Sequence, residues 1–130
     1  MFESVSQSYL EENVLHKEAK PHIVFVTYVD DPYREYLLPT LEAAISEARE
    51  KSRHPVDMTI VLADGFGEAR PFAEKYQVLY MPTVFVFRRG EVVEMLSAFI
   101  PPELFTERII EASKPTSAEA LAEDISLRKE

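Results

Sequence analysis

The run Tyr80-Met-Pro-Thr-Val-Phe-Val-Phe-Arg-Arg-Gly-Glu-Val-Val93 constrains the fold more than any other stretch of the chain. Val84 to Phe87 is a β-branched and aromatic segment, Gly90 interrupts it, and Val92 and Val93 begin a second short segment. That pattern predicts a β-hairpin. Pro82 stands at the first position of the leading strand, where a missing N–H breaks no ladder bond. Gly90 supplies the positive φ that a tight hairpin turn requires. A proline opening a strand is also a candidate cis peptide, because cis X–Pro costs only about 0.5–1 kcal/mol over trans.

Two further strands precede the hairpin. Pro21 to Val29 is an almost unbroken apolar, β-branched run, suited to a central parallel strand covered on both faces. Met58 to Ala63 is a second run of the same kind, and Asp64-Gly-Phe-Gly67 reads as the turn after it. Between the two strands, Asp30 and Asp31 precede Pro32 as a helix N-cap with proline in the first turn. Leu37, Leu41, Ala44, Ile45 and Ala48 form the apolar stripe of that helix, and Pro39 should kink it. Ala69, Phe72, Ala73 and Tyr76 predict a third element, and Leu104, Phe105, Ile109 and Ala112 a last helix opened by Pro101-Pro102.

At the N-terminus, Phe2, Val5, Tyr9, Leu10 and Val14 predict one amphipathic helix over residues 2–17. Residues 114–130 read either as a short helix, with Ala118, Leu121, Ala122 and Ile125 at helical spacing, or as a frayed tail. The expectation is one α/β domain over residues 1–113, three-layered α/β/α, with its core at 20–113 and a central mixed sheet.

The 130 residues are enough for one core without staples. A net charge of −9 disfavours nucleic acid and anionic membranes, which need clustered Lys and Arg, and suits a solvated surface or a basic partner. No apolar run approaches the roughly 20 residues that span a bilayer. Met1-Phe-Glu-Ser-Val5 lacks the basic start and apolar core of a secretory signal, so the expected location is cytoplasmic. His16, His22 and His54 fall on different elements without metal-ligand spacing and read as surface or strand-edge residues. No metal or cofactor is expected, and Asp64 to Gly67 lacks the lysine and length of a phosphate loop. Asp30 and Asp31 read as caps rather than catalytic acids, since a helix N-terminus stabilises their ionised forms.

The second half of the chain resembles the thioredoxin family. The resemblance lies in Ala73-Glu-Lys-Tyr76, in Met81-Pro82-Thr83 at the position of the family's cis-proline loop, in Phe87-Arg-Arg-Gly-Glu-Val92, and in Pro102 to Ile110 as the closing helix. It spans residues 20–113. The family's Trp-Cys-Gly-Pro-Cys-Lys/Arg site falls on Val29-Asp30-Asp31-Pro32-Tyr33-Arg34, which keeps the proline and the basic residue only. Asp30 and Tyr33 stand where the cysteines would be, and Val24 where the family has a buried aspartate.

The chain contains no cysteine at all. Disulfide exchange needs a thiolate attacking sulfur, so this chain is expected to be redox-inactive and not an enzyme of that class. What the resemblance leaves is a groove for extended polypeptide, formed by Asp30, Asp31, Pro32, Tyr33, Tyr80, Met81 and Pro82 with Ala98 and Phe99. Tyr33, Tyr80, Met81 and Phe99 give it the aromatic and thioether bulk of binding hot spots. The expected function is a protein- or peptide-binding chaperone, adaptor or assembly factor. Met81-Pro82 and Leu96-Ser-Ala-Phe-Ile-Pro101 are also similar to hydrogenase accessory proteins of the HyaE and HupG type. That likeness implies a hydrogenase small subunit, or its targeting peptide, as partner. The alternatives are a cysteine-independent enzyme using Tyr33, Asp30 or Arg34, and a structural domain that forms homo-oligomers.

Overall fold

The structure, a computed structural model, describes residues 4–97 and 99–114. Phe2, Ala98 and the segment 115–130, for which a helix or a tail was expected, lie outside the described residues. The element order is β1 (Ser4–Val5), α1 (Gln7–Asn13), β2 (His22–Thr27), α2 (Arg34–Lys51), β3 (Thr59–Asp64), α3 (Arg70–Lys75), β4 (Thr83–Arg88), β5 (Glu91–Ser97) and α4 (Pro102–Ser113).

The five strands form one sheet in the order β1-β3-β2-β4-β5. β2 runs parallel to β3 and antiparallel to β4, and β4 pairs antiparallel with β5, so the sheet is mixed as expected. Every residue of β2 is buried. Alternation along it sends Ile23 and Phe25 to one face, against α2 and α4, and Val24 and Val26 to the other, against α1 and α3. A strand sandwiched this way has no wet face, which is why its sequence shows no polar alternation. On the α3 side, Phe72, Tyr76, Phe85 and Phe87 pack ring to ring with centroids 4.8–5.9 Å apart.

The predicted helix over residues 2–17 is divided. Ser6 holds an extended backbone, and its side chain accepts a hydrogen bond from the Tyr9 amide at 3.1 Å, so the helix starts only after it. Ser4 and Val5 instead pair with Leu62 and Ala63 as an edge strand. Leu10 and Val14 still reach the core. His22, expected as a surface or strand-edge residue, is instead buried. It opens the central strand, is only 3% exposed, and places Nδ1 2.8 Å from the Lys20 carbonyl oxygen. Burial pushes its imidazole below the ordinary histidine value.

The hairpin turn uses two left-handed residues, Arg89 (φ 55°) and Gly90 (φ 80°). A two-residue loop of that kind matches the twist of the flanking strands. A Cβ on Gly90 would also come to 3.0 Å from the Leu15 and His16 backbone, so space as well as φ favours glycine there.

Candidate functional site

The register brings four chain segments to one end of the sheet. Val26 on β2 pairs with Ala63 on β3 and with Thr83 on β4, and Thr83 in turn pairs with Ser97 on β5. The segments Tyr28 to Tyr33, Asp64 to Gly67, Leu79 to Pro82, and Phe99 therefore converge there.

Within the first segment the two aspartates part company. Asp31 is 7% exposed; its Oδ2 accepts from Thr27 Oγ1 at 2.6 Å and its Oδ1 from the Tyr33 amide at 2.9 Å. This is an Asx-type turn, with one carboxylate oxygen held by the last residue of β2 and the other by the loop itself. It holds the chain for one turn before α2, so the helix begins at Arg34 rather than at Pro32. Asp30 faces solvent. The pair thus shares no site, and Asp31 shapes the surface rather than lining it.

Tyr33, half-exposed, meets Phe99 edge to face with ring centroids 5.1 Å apart. Tyr80 projects outward, and Thr83 Oγ1 donates to its carbonyl oxygen at 2.5 Å, tying the loop to the strand. The Met81–Pro82 peptide bond is cis. Pro82 is buried, Pro32 is exposed, and Met81 is half-buried against the α3-side core. Val24, fully buried, occupies the interior beneath, so no acid lies under the loop at that position.

Val29, which the resemblance sets at the family's tryptophan position, and three apolar residues that the sequence does not single out, Tyr36, Phe66 and Leu79, are each more than two-thirds exposed. Phe66 was hidden inside what reads as a turn. There the Asp64 carboxylate accepts from the Phe66 amide at 3.0 Å, and Phe66 stacks 5.5 Å from Tyr28. Tyr36 lies off the buried stripe of α2, and that offset was the signal available for it. Together with Tyr33, Tyr80 and Phe99, these residues account for all the exposed large hydrophobics among the described residues except Val92, Val93 and Met95 on β5. Exposed apolar side chains gathered at one end of a sheet mark a candidate interaction site.

Among the described residues, no group of three or more His, Cys, Asp or Glu side chains is placed to hold a metal ion. No helix of the described residues is long and apolar enough to cross a membrane.

No protein-family model matches the chain, and no curated protein does. Solved structures do. Human ERp44 in its zinc-bound form is 17% identical with a TM-score of 0.65, over 88% of this chain and 33% of that one. The first two thioredoxin domains of Naumovozyma dairenensis Eps1p are 14% identical with a TM-score of 0.59, over 82% of this chain and 39% of that one. The chain thus spans a little over a third, at most, of the length of these structures. The likeness shows the fold: an α/β thioredoxin-like fold, here without cysteine.

Proposed function

We propose that this thioredoxin-like chain is a redox-inactive protein-binding module, a chaperone, adaptor or assembly factor, that holds polypeptide at the sheet end beside Met81 and Pro82. The carrying observation is the gathering of Tyr33, Phe66, Leu79, Tyr80 and Phe99 in solvent at that end, on a chain with no thiolate to do chemistry there. Aromatic and thioether groups bind other chains through buried area and shape, with no reaction required. The reading includes no catalytic residue, no cofactor, no nucleic acid or membrane partner, and a cytoplasmic location. Its finest form carries the hydrogenase likeness forward, with a hydrogenase small subunit or its targeting peptide as occupant.

Affinity capture with the parent chain and with Tyr33→Ala/Met81→Ala tests the reading. The double variant should keep its fold and lose the captured partner; recovery of the same proteins by both would refute it. One observation favours a second reading. Val92, Val93 and Met95 are exposed on β5, an edge strand, and an uncovered apolar edge is a template for self-association. Sedimentation of the parent and of Val93→Lys distinguishes that reading, since only an edge-paired oligomer would dissociate in the variant.

A further inference from the structure

At the other end of β2 from the groove, a cavity of about 580 Å³ opens between α1, the loop after it and the head of the sheet. Tyr9 and Glu12 reach it from α1, His16, Glu18 and Lys20 from the loop, and His22 from the sheet. Glu12, His16, Glu18 and Lys20 are exposed and form the rim. His22 is the buried member, on the same face of β2 as Val24 and Val26.

His22 brings an unused hydrogen-bonding atom to that space. The Lys20 carbonyl oxygen, 2.8 Å from Nδ1, can only accept, so Nδ1 carries the hydrogen and the neutral ring presents Nε2 as an acceptor. Nε2 has no protein partner among the described residues. No fully enclosed side-chain nitrogen or oxygen among them goes unpaired, so Nε2 opens on the cavity rather than lying sealed beneath it. A buried ring held in one tautomer by the backbone, with its other nitrogen open to a hollow, is set to receive a donor.

A metal ion would need further ligands. His16 uses its Nδ1 to accept from the Glu18 amide at 3.0 Å, and no group of three or more His, Cys, Asp or Glu among the described residues is placed to hold one. The charges favour an organic cation. Lys20 Nζ has a partner of its own, the Asp57 carboxylate at 3.6 Å. Glu12 lines the cavity without an ion-pair partner among the described residues. Glu18 is shared with an adjoining hollow that also holds Lys17, Arg88 and Arg89, so Glu12 is the carboxylate that matters here.

We infer that this cavity binds a primary alkylammonium group, which donates to His22 Nε2 while the Glu12 carboxylate balances its charge and Tyr9 covers its alkyl chain. A free amine and a lysine side chain of another polypeptide share that chemistry. The site lies apart from the Met81–Pro82 surface and is independent of the role proposed for it.

Titration of the full chain with n-butylammonium tests this, followed at the imidazole nitrogens by long-range proton–nitrogen NMR with isotope-labelled histidine. The His22 Nε2 resonance should shift saturably, with the exposed His54 ring as an unmoved control. n-Butanol, with the same chain and a neutral donor, and butyrate, an anion of similar size, should leave Nε2 unmoved. Glu12→Gln, a change on an exposed side chain, should weaken binding several-fold. Nα-acetyllysine methylamide, titrated in parallel, separates the two sources. Tighter binding than butylammonium assigns the site to a lysine side chain, weaker binding to a free amine, and either supports the inference. An unmoved His22 Nε2 throughout the amine titrations, an equal response to butanol or butyrate, or undiminished binding to Glu12→Gln overturns it.

Discussion

Tyr33, at the entrance to α2, and Phe99, between β5 and α4, meet ring edge to ring face at 5.1 Å and 86°. The contact joins the entrance of α2 to the β5–α4 connection, and both rings remain at least half exposed. An aromatic pair left in solvent contributes little to the fold while presenting a large, stiff apolar surface to another chain.

Tyr33→Ala should therefore separate stability from binding. Denaturant unfolding should show a loss at the low end of the roughly 0.5–1.5 kcal/mol measured for aromatic pairs. Affinity for a groove ligand should fall much further. A stability loss of core size, with binding retained, would place Tyr33 in the scaffold instead.

The adjacent aspartates should behave differently. Asp31→Ala removes the acceptor of both the Thr27 hydroxyl and the Tyr33 amide, inside a buried turn. It should cost about 1–3 kcal/mol in urea unfolding. Asp30→Ala, on the exposed neighbour, should stay within about 0.5 kcal/mol of the parent.

Gly90→Ala combines a positive φ with backbone approaches of 3.0 Å to Leu15 and His16. Thermal unfolding should show a loss of about 1–3 kcal/mol, the range for residues forced into sparsely populated backbone regions. An unchanged melting temperature would mean that the turn relaxes.

His22 predicts an acid-side weakness. Its folded imidazole is held below the ordinary value by burial, against a smaller opposing contribution from its bond to the Lys20 carbonyl. The unfolded chain therefore takes up this proton first as pH falls through about 6.5. Stability is complete above that pH and declines below it, until the folded imidazole also protonates. His22→Gln should flatten the decline in unfolding midpoints between about pH 7 and pH 5; an equal decline in both chains would assign it to other groups.

Much of the fold was legible because burial on both faces leaves its mark locally. The runs around Phe25, Leu62 and Phe85 have no polar alternation, and only a sheet covered twice tolerates that. Residue type points His22 to the surface or a strand edge, whereas its position at the head of such a run buries it. The first helix was drawn too long because Val5 satisfies both a helical stripe and an edge strand, and only the Ser6 cap decides between them. Asp30 and Asp31 look equivalent in sequence; what separates them is Thr27, which lies within reach of Asp31 alone once β2 is built. Phe66 and Leu79 carried no pattern of their own. Their exposure at one end follows from sheet register, which a linear reading does not contain.

Site-specific photo-crosslinking tests the central claim most directly. A benzophenone side chain is placed at Tyr80, or as control at Val93, and irradiated in native lysate. The account predicts polypeptide adducts from position 80 that disappear in Tyr33→Ala/Met81→Ala, and none from position 93. Adducts from position 93 with none from position 80 would contradict it.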